Sequence, residues 1–493
     1  MDAWDELKAR NEELDALGGA AAMLEWDQQC YLPPGAGAVR GHQSAVLGRI
    51  QHERFTDPRV GEWLHALDAR ELDEVRRASV RNLLRRWRRA TCLPTELVEA
   101  LTRARNEGFL AWCKAREADD FRLFEAPLQK LLDLTRETAH RYGWKDHPYD
   151  ALLEDYDPGS TVAQLRPMFA RLSTELNRLL DAVDGRPHPA GFSGRLDVDG
   201  QRRLSERVLA DLGFDRQHGR LDVSAHPFTI GLAPEDVRIT THFHEDNFLA
   251  SLGGTIHECG HGLYEQGLPT AWAGTALNRA ASMGLHESQS RFWENFVGRS
   301  RPFCAYLLPR MQGIWPGLRV TVDELYAAMN RVERSLIRIF ADEATYNLHI
   351  VARFELELGI VEGKLQAKDL PEAWDDAYRR NVGVVAKSAH DGVLQDVHWS
   401  SGLFGYFPSY TIGNLYAASM GARVREDVPD LWAQVERGEF GAVLGWLREH
   451  VHRRGHLKDA PELFRDAVGD RDPVRDLVDH LWSRQGALYG VRR

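Results

Sequence analysis

Residues Thr255-Ile256-His257-Glu258-Cys259-Gly260-His261 contain the pattern H-E-x-x-H, and this stretch decides both the fold and the chemistry to look for. On an α-helix, positions i and i+4 lie one turn apart on the same face. His257 and His261 can therefore turn imidazole nitrogens towards one ion, at two corners of a tetrahedron around Zn²⁺. Glu258 sits one residue round from His257. It is poorly placed to share the ion and well placed to take a proton from a water the ion activates. The flanking residues favour a helix. Asp246 and Asn247 are N-cap candidates, Phe248 to Gln266 lacks proline, and Gly267 followed by Pro269 gives a C-terminal stop. Such a helix has about five turns. Gly253, Gly254, Gly260 and Gly262 each cost roughly 1 kcal/mol in its interior. Close approach of another backbone or of a substrate would explain them.

Two histidines leave an ion short of a protein ligand. A metzincin would place a third histidine six residues after the second, but Gly267 stands there. The alternative is a carboxylate from a following helix. Ala276 to Val297 reads as that helix and offers Glu287 and Glu294. Glu287 follows His261 at a distance that allows a turn and an antiparallel return. Glu265 competes weakly, because one helix does not easily wrap three ligands around one ion.

Outward from this centre the chain reads as mainly α. Trp4 to about Leu180 is helical almost throughout, with Trp26-Asp27-Gln28 and Leu32-Pro33-Pro34-Gly35 expected to break the first helix. The Gly- and Pro-rich stretch from Asp184 to Gly200 separates an N-terminal helical region, 1–184, from a helical catalytic region, 185–493, within one continuous unit. Strand character is convincing only over 223–246. There Phe228-Thr229-Ile230, a Gly-Leu-Ala-Pro turn and Val237 to Phe243 suggest a small hairpin beside the metal helix. Its edge could bind an extended peptide.

Composition narrows the function. Of 493 residues 43% are hydrophobic and 27% charged, as in ordinary soluble proteins. The formal net charge of -11 argues against a nucleic-acid partner. The arginine-rich stretch from Glu71 to Arg105 then reads as a solvated helix face. No signal segment or membrane-spanning run is read, and five scattered cysteines suit a reduced, cytoplasmic setting. His450, His452 and His456, beside Arg453 and Arg454, read as a solvated helix end.

Several separated stretches resemble the carboxypeptidase Taq family of metallocarboxypeptidases. They are His226-Pro227-Phe228, Asp236-Val237-Arg238-Ile239-Thr240, the H-E-x-x-H segment and His286-Glu287-Ser288-Gln289. Ile337-Arg338-Ile339-Phe340-Ala341-Asp342 and Gly392-Val393-Leu394-Gln395-Asp396-Val397-His398-Trp399 continue the series, and Trp26-Asp27-Gln28 and Tyr149 to Leu153 also look like family positions. The resemblance implies a mostly helical, saddle-like protein with a deep groove, usually a cytoplasmic homodimer. It implies removal of single residues from peptide C-termini with zinc or sometimes cobalt. Glu287 falls on the family's third ligand, and Phe340 stands where an acidic residue is common in relatives.

An exopeptidase must pair the substrate's free carboxylate. Arg338 is the best candidate, because a guanidinium offers a bidentate fork. The competing role is an intrahelical pair with Asp342. His398, Tyr406 and Tyr410, in a Gly-rich loop after Asp396, could donate to a developing oxyanion. Arg238 could orient substrate or simply pair with Asp236. The expected protein is thus a zinc carboxypeptidase of peptides with a free C-terminus, with Glu258 as general base. Two rivals remain open: an oligopeptidase or dipeptidyl carboxypeptidase with the same metal site, and a non-catalytic helical protein that binds metal for structure.

Overall fold

In the computed structural model, which describes residues 2–493, the chain is helical over most of its length with one small sheet. The first helix, Ala3–Cys30, starts where the Asp2 side chain accepts hydrogen bonds from the N–H groups of Trp4 and Asp5. It runs straight through Trp26-Asp27-Gln28 and ends only at the Tyr31 cap before the proline pair. The expected earlier break does not occur, because Trp, Asp and Gln tolerate a helix interior and proline does not.

Two compact units organise the chain, each assembled from separated stretches. The first comprises Met1–Ala90, Ala190–Met329 and Tyr416–Arg471, and the second Thr91–Pro189, Asn330–Leu415 and Asp472–Arg493.

In the first unit lies the mixed sheet: β1 (Gly219–Val223), β2 (Thr229–Ala233) and β3 (Asp236–Thr241). The order is β1-β3-β2, with β3 parallel to β1 and antiparallel to β2. The hairpin read from sequence is β2–β3, and β1 adds a third strand. The H-E-x-x-H helix, Phe248–Glu265, is capped by Asn247, whose side chain accepts from the Ala250 N–H. Ile256, Cys259 and Leu263 are buried, as are Val237 and Ile239 of β3. Thr255 and Thr241 tie helix to strand by a hydroxyl–hydroxyl bond of 2.7 Å.

The next helix begins later than its pattern suggests. Met283–Arg291 starts where Ser282 accepts from the Leu285 N–H, and Phe292–Val297 continues it as a π-helix. Gly260 explains how the two helices come so close. A Cβ there would lie 2.5 Å from the Gln289 carbonyl oxygen and 2.7 Å from Ser290 Cα. The arginine-rich helix, Glu74–Cys92, buries Leu83 and Leu84, and Arg85 pairs with Asp459 at 2.8 Å. Of the C-terminal histidines, His450 does end a helix, Gly441–His450, but His452 is not solvated. His452 is fully buried, its Nε2 3.0 Å from Gln289 Oε1 and its ring against Tyr264.

The second unit packs Thr95–Ala118 against Arg122–Tyr142, and Tyr346–Val361 against Leu370–Asn381. Its core includes Leu128, Leu131, Phe169, Leu172 and Phe354. No helix among the described residues is long and apolar enough to cross a membrane.

Candidate metal centre and carboxylate-facing cluster

Helical spacing puts His257 and His261 on one stripe, with ring centroids 4.9 Å apart. Glu287 reaches the same point from the neighbouring helix. Its Oε2 lies 3.6 Å from His257 Nε2 and 3.4 Å from His261 Nε2. Metal–ligand bonds of about 2.0–2.2 Å in a tetrahedron place ligand atoms about 3.3–3.6 Å apart. The set of two imidazoles and one carboxylate therefore fits one divalent ion. It is the only His/Cys/Asp/Glu group with metal-holding spacing among the described residues.

Two of the three candidate ligands, His257 and Glu287, are held from behind by hydrogen bonds. Glu294, the other candidate for third ligand, instead lies 2.8 Å from His257 Nδ1. That is the carboxylate–histidine arrangement that fixes tautomer and ring orientation. Arg291 donates from Nε to Glu287 Oε1 at 2.7 Å and from Nη1 to Glu294 Oε2 at 3.1 Å. Ser290 Oγ donates to Glu287 Oε2. Burial would raise the Glu287 carboxyl, but Arg291 and the two imidazoles outweigh it and hold the group well below the usual carboxylate range. His261 Nδ1 has no hydrogen-bond partner among the described residues. Its ring stacks on His286 at 4.5 Å, and His286 Nε2 lies 2.8 Å from Glu265 Oε1. Beyond Glu265, one turn along the stripe, a cavity of about 930 Å³ opens between the first helix and β2.

Glu258 is buried beside the ligands, and burial raises its carboxyl above the ordinary value. Thr229 of β2 donates to its Oε2 at 2.7 Å. The sheet thus holds the acid that the motif supplies. Arg238 on β3 donates from Nε and Nη2 to the Asp236 carboxylate, both at 3.0 Å, and its guanidinium lies 4.3 Å over the Trp26 ring.

The remaining expected residues gather in the second unit. Arg338 lies in a short 3₁₀ turn, Arg338–Phe340, and is 6% exposed. The i+4 pair with Asp342 is not formed, because Asp342 accepts from the N–H groups of Ala344, Thr345 and Glu333. Arg338 Nε and Nη2 donate instead to Asp396 Oδ1 at 3.0 and 2.8 Å, and Nη1 donates to the Tyr346 hydroxyl at 3.0 Å. Its guanidinium faces the Tyr410 ring at 5.0 Å. His398 Nε2 lies 3.1 Å from the Tyr410 hydroxyl, and Tyr406 packs edge-on against Tyr410. Burial pushes the His398 imidazole down to about 3, so it is neutral. Tyr410 is not in the loop. It sits in the first turn of the helix Phe407–Asp427, whose second residue is Pro408.

Sequence reasoning missed Thr229 and Arg291. Arg291 had a local signal, four residues after Glu287 and three before Glu294. Thr229 had none.

The family model of carboxypeptidase Taq (M32) metallopeptidases matches residues 6–485. The chain is 41% identical to thermostable carboxypeptidase 1 of Thermus thermophilus over 99% of both chains. It is 35% identical to carboxypeptidase 1 of Bacillus subtilis over 95% of both. The solved M32 carboxypeptidase from Deinococcus radiodurans R1 shares the fold with a TM-score of 0.95 at 40% identity, covering 99% of this chain and 100% of that one.

Proposed function

Because the chain belongs to the carboxypeptidase Taq (M32) family of metallopeptidases and is a metallocarboxypeptidase, we propose that it removes single residues from free peptide C-termini, using zinc held by His257, His261 and Glu287. The observation that carries this reading is the convergence of the three ligand atoms, the carboxylate oxygen 3.4 and 3.6 Å from the two imidazole nitrogens. Zinc held there would polarise the scissile carbonyl and draw the pKa of a water towards neutrality, and cobalt would suit the same donors.

Glu258 is the general base, which accepts a proton from the attacking water and returns it to the leaving amine. Burial, which raises its carboxyl, favours a group that accepts and releases a proton in one cycle. Thr229 fixes its orientation through Oε2, and Glu294 keeps His257 Nε2 turned towards the ligand point. Arg291 engages Oε1 of Glu287 and Ser290 donates to Oε2, which together fix the carboxylate with Oε2 towards the two imidazoles.

Arg338 reads the substrate's terminal carboxylate. A guanidinium has five N–H donors. Asp396 and Tyr346 take three of them, so Nη1 and Nη2 each keep one for a bidentate fork. His398, Tyr406 and Tyr410 beside it supply donors for the oxyanion of the tetrahedral intermediate. Arg238, engaged by Asp236 and Trp26, supports the sheet and acts on substrate only through it. The enzyme works as a cytoplasmic homodimer, as the family resemblance implies.

An N-acetylated peptide and its C-terminal amide, with products followed by mass spectrometry, test the reading. The free acid should shorten one residue at a time while the amide resists. Release of dipeptides, or internal cuts in the amide, would establish an oligopeptidase instead.

A further inference from the structure

Behind Arg338 lies a second guanidinium, Arg353, with no exposed surface. Its Nε donates to Asp396 Oδ2 at 2.7 Å, while Arg338 occupies Oδ1 of the same carboxylate. Its Nη2 also pairs with Asp396 and donates to Gln395 Oε1 at 2.8 Å. That Gln395 oxygen accepts the backbone N–H of Arg338 at 3.1 Å. Nη1 donates to the His349 carbonyl and to the Tyr378 hydroxyl, and the Trp374 ring covers the guanidinium at 4.6 Å. The contrast with Arg338 is chemical. All five N–H donors of Arg353 are engaged within the protein, so it has none left for a ligand. Arg338 keeps two.

We propose that Arg353 is a positioning residue that presets the Arg338 fork for a substrate carboxylate, holding its side chain through Asp396 and its backbone through Gln395. The proposal rests on the reading of Arg338 given above. Two guanidiniums here share one carboxylate, and burial keeps the neighbouring imidazoles of His349 and His398 neutral. Glu357, the next acid in reach of Arg353, makes its hydrogen bonds to Tyr149, Trp399 and the Gly405 N–H. A carboxylate arriving at Arg338 therefore meets positive charge already assembled. It also meets a long side chain whose rotamer freedom is already lost, so ordering that chain does not weaken binding.

The test compares Arg353→Lys, Asp396→Asn and Arg338→Ala with the unaltered enzyme, after thermal melts establish which variants fold. Each is given one N-acylated dipeptide for kcat and KM. Each is then titrated with a non-cleavable reduced-bond analogue of that dipeptide, as free acid and as amide. Arg353→Lys keeps the charge and loses the planar fork. It should raise KM and the free-acid inhibition constant about three- to tenfold, with kcat nearly unchanged and amide inhibition unmoved. Asp396→Asn, close in shape, should move the same quantities and carries the test if Arg353→Lys does not fold. A loss of packing alone would lower stability without selecting acid over amide. Unaltered free-acid inhibition in the folded variants, or a fall in kcat at constant KM, overturns the positioning role. Unaltered acid preference in Arg338→Ala overturns the reading of Arg338 beneath it.

Discussion

At the scale of single residues, three glutamates within a few ångströms are sorted by what surrounds them. Glu258 is raised by burial and touched by a hydroxyl, whereas Glu287 and Glu294 are held down by guanidiniums and imidazoles despite theirs. Removing the Glu294 charge should loosen His257. Glu294→Gln is expected to lose about 10–100-fold in zinc affinity, measured by chelator competition; unaltered affinity would mean the hydrogen bond does not orient the ligand. Glu258, the proposed base, should behave differently. Replacing Glu258 with Gln is expected to lower kcat by about 10²–10⁴, and a variant with near-normal turnover would place the proton transfer elsewhere. The histidine pair was legible in the sequence because its geometry is local to one helix. Spacing left both Glu287 and Glu294 on the following helix, and the family resemblance favoured Glu287; the fold brings Glu287 to the two imidazoles and sets Glu294 behind His257. Arg338 illustrates the same limit. Its sequence neighbour Asp342 was in view, but its actual partner Asp396 comes from a distant turn.

At the scale of elements, the site depends on the closeness of two helices. Gly260 is the position that permits it, with Gln289 and Ser290 backbone atoms where a side chain would begin. Gly260→Ala should force Met283–Arg291 outward and carry Glu287 with it. The expected cost is about 1–3 kcal/mol in denaturant unfolding, together with weaker zinc binding; a variant with normal metal affinity would show that the helices can separate without moving the ligand. The glycines were visible as an anomaly in a helix; close approach accounts for Gly260 and Gly262, whereas a Cβ at Gly253 or Gly254 would meet nothing nearer than 4.0 or 3.7 Å. The motif helix matched its cap and stop signals because these are local. The helix after it did not, since Ala276 to Ala281 have helical composition and only the Ser282 cap fixes the start. The long first helix likewise ignored an expected break until a residue incompatible with helix arrived.

At the scale of the whole molecule, the two units are interleaved along the chain, and composition could not reveal it. Two of the crossings, 90/91 and 415/416, fall inside the helices Glu74–Cys92 and Phe407–Asp427, where helical periodicity runs on without interruption. The crossing after Pro189 falls in the Gly- and Pro-rich stretch that sequence marks plainly. Stability should carry a signature of the second unit. Burial raises the Glu357 carboxyl to about 7, above its unfolded value, so its contribution is full below about pH 4.5 and is lost as pH rises through about 7. Glu357→Gln should flatten that decline, which amounts to about 3 kcal/mol, in urea unfolding across this window; an unaltered slope would assign the pH dependence to other groups. The proposed mechanism divides the residues that would hold the ion from the residue that would move the proton. Metal content per purified chain, determined by elemental analysis on Glu287→Ala and Glu258→Gln prepared alike, tests it most directly. Little zinc is expected in Glu287→Ala and about one ion per chain in an inactive Glu258→Gln; full occupancy in the first, or an empty second, would contradict that division.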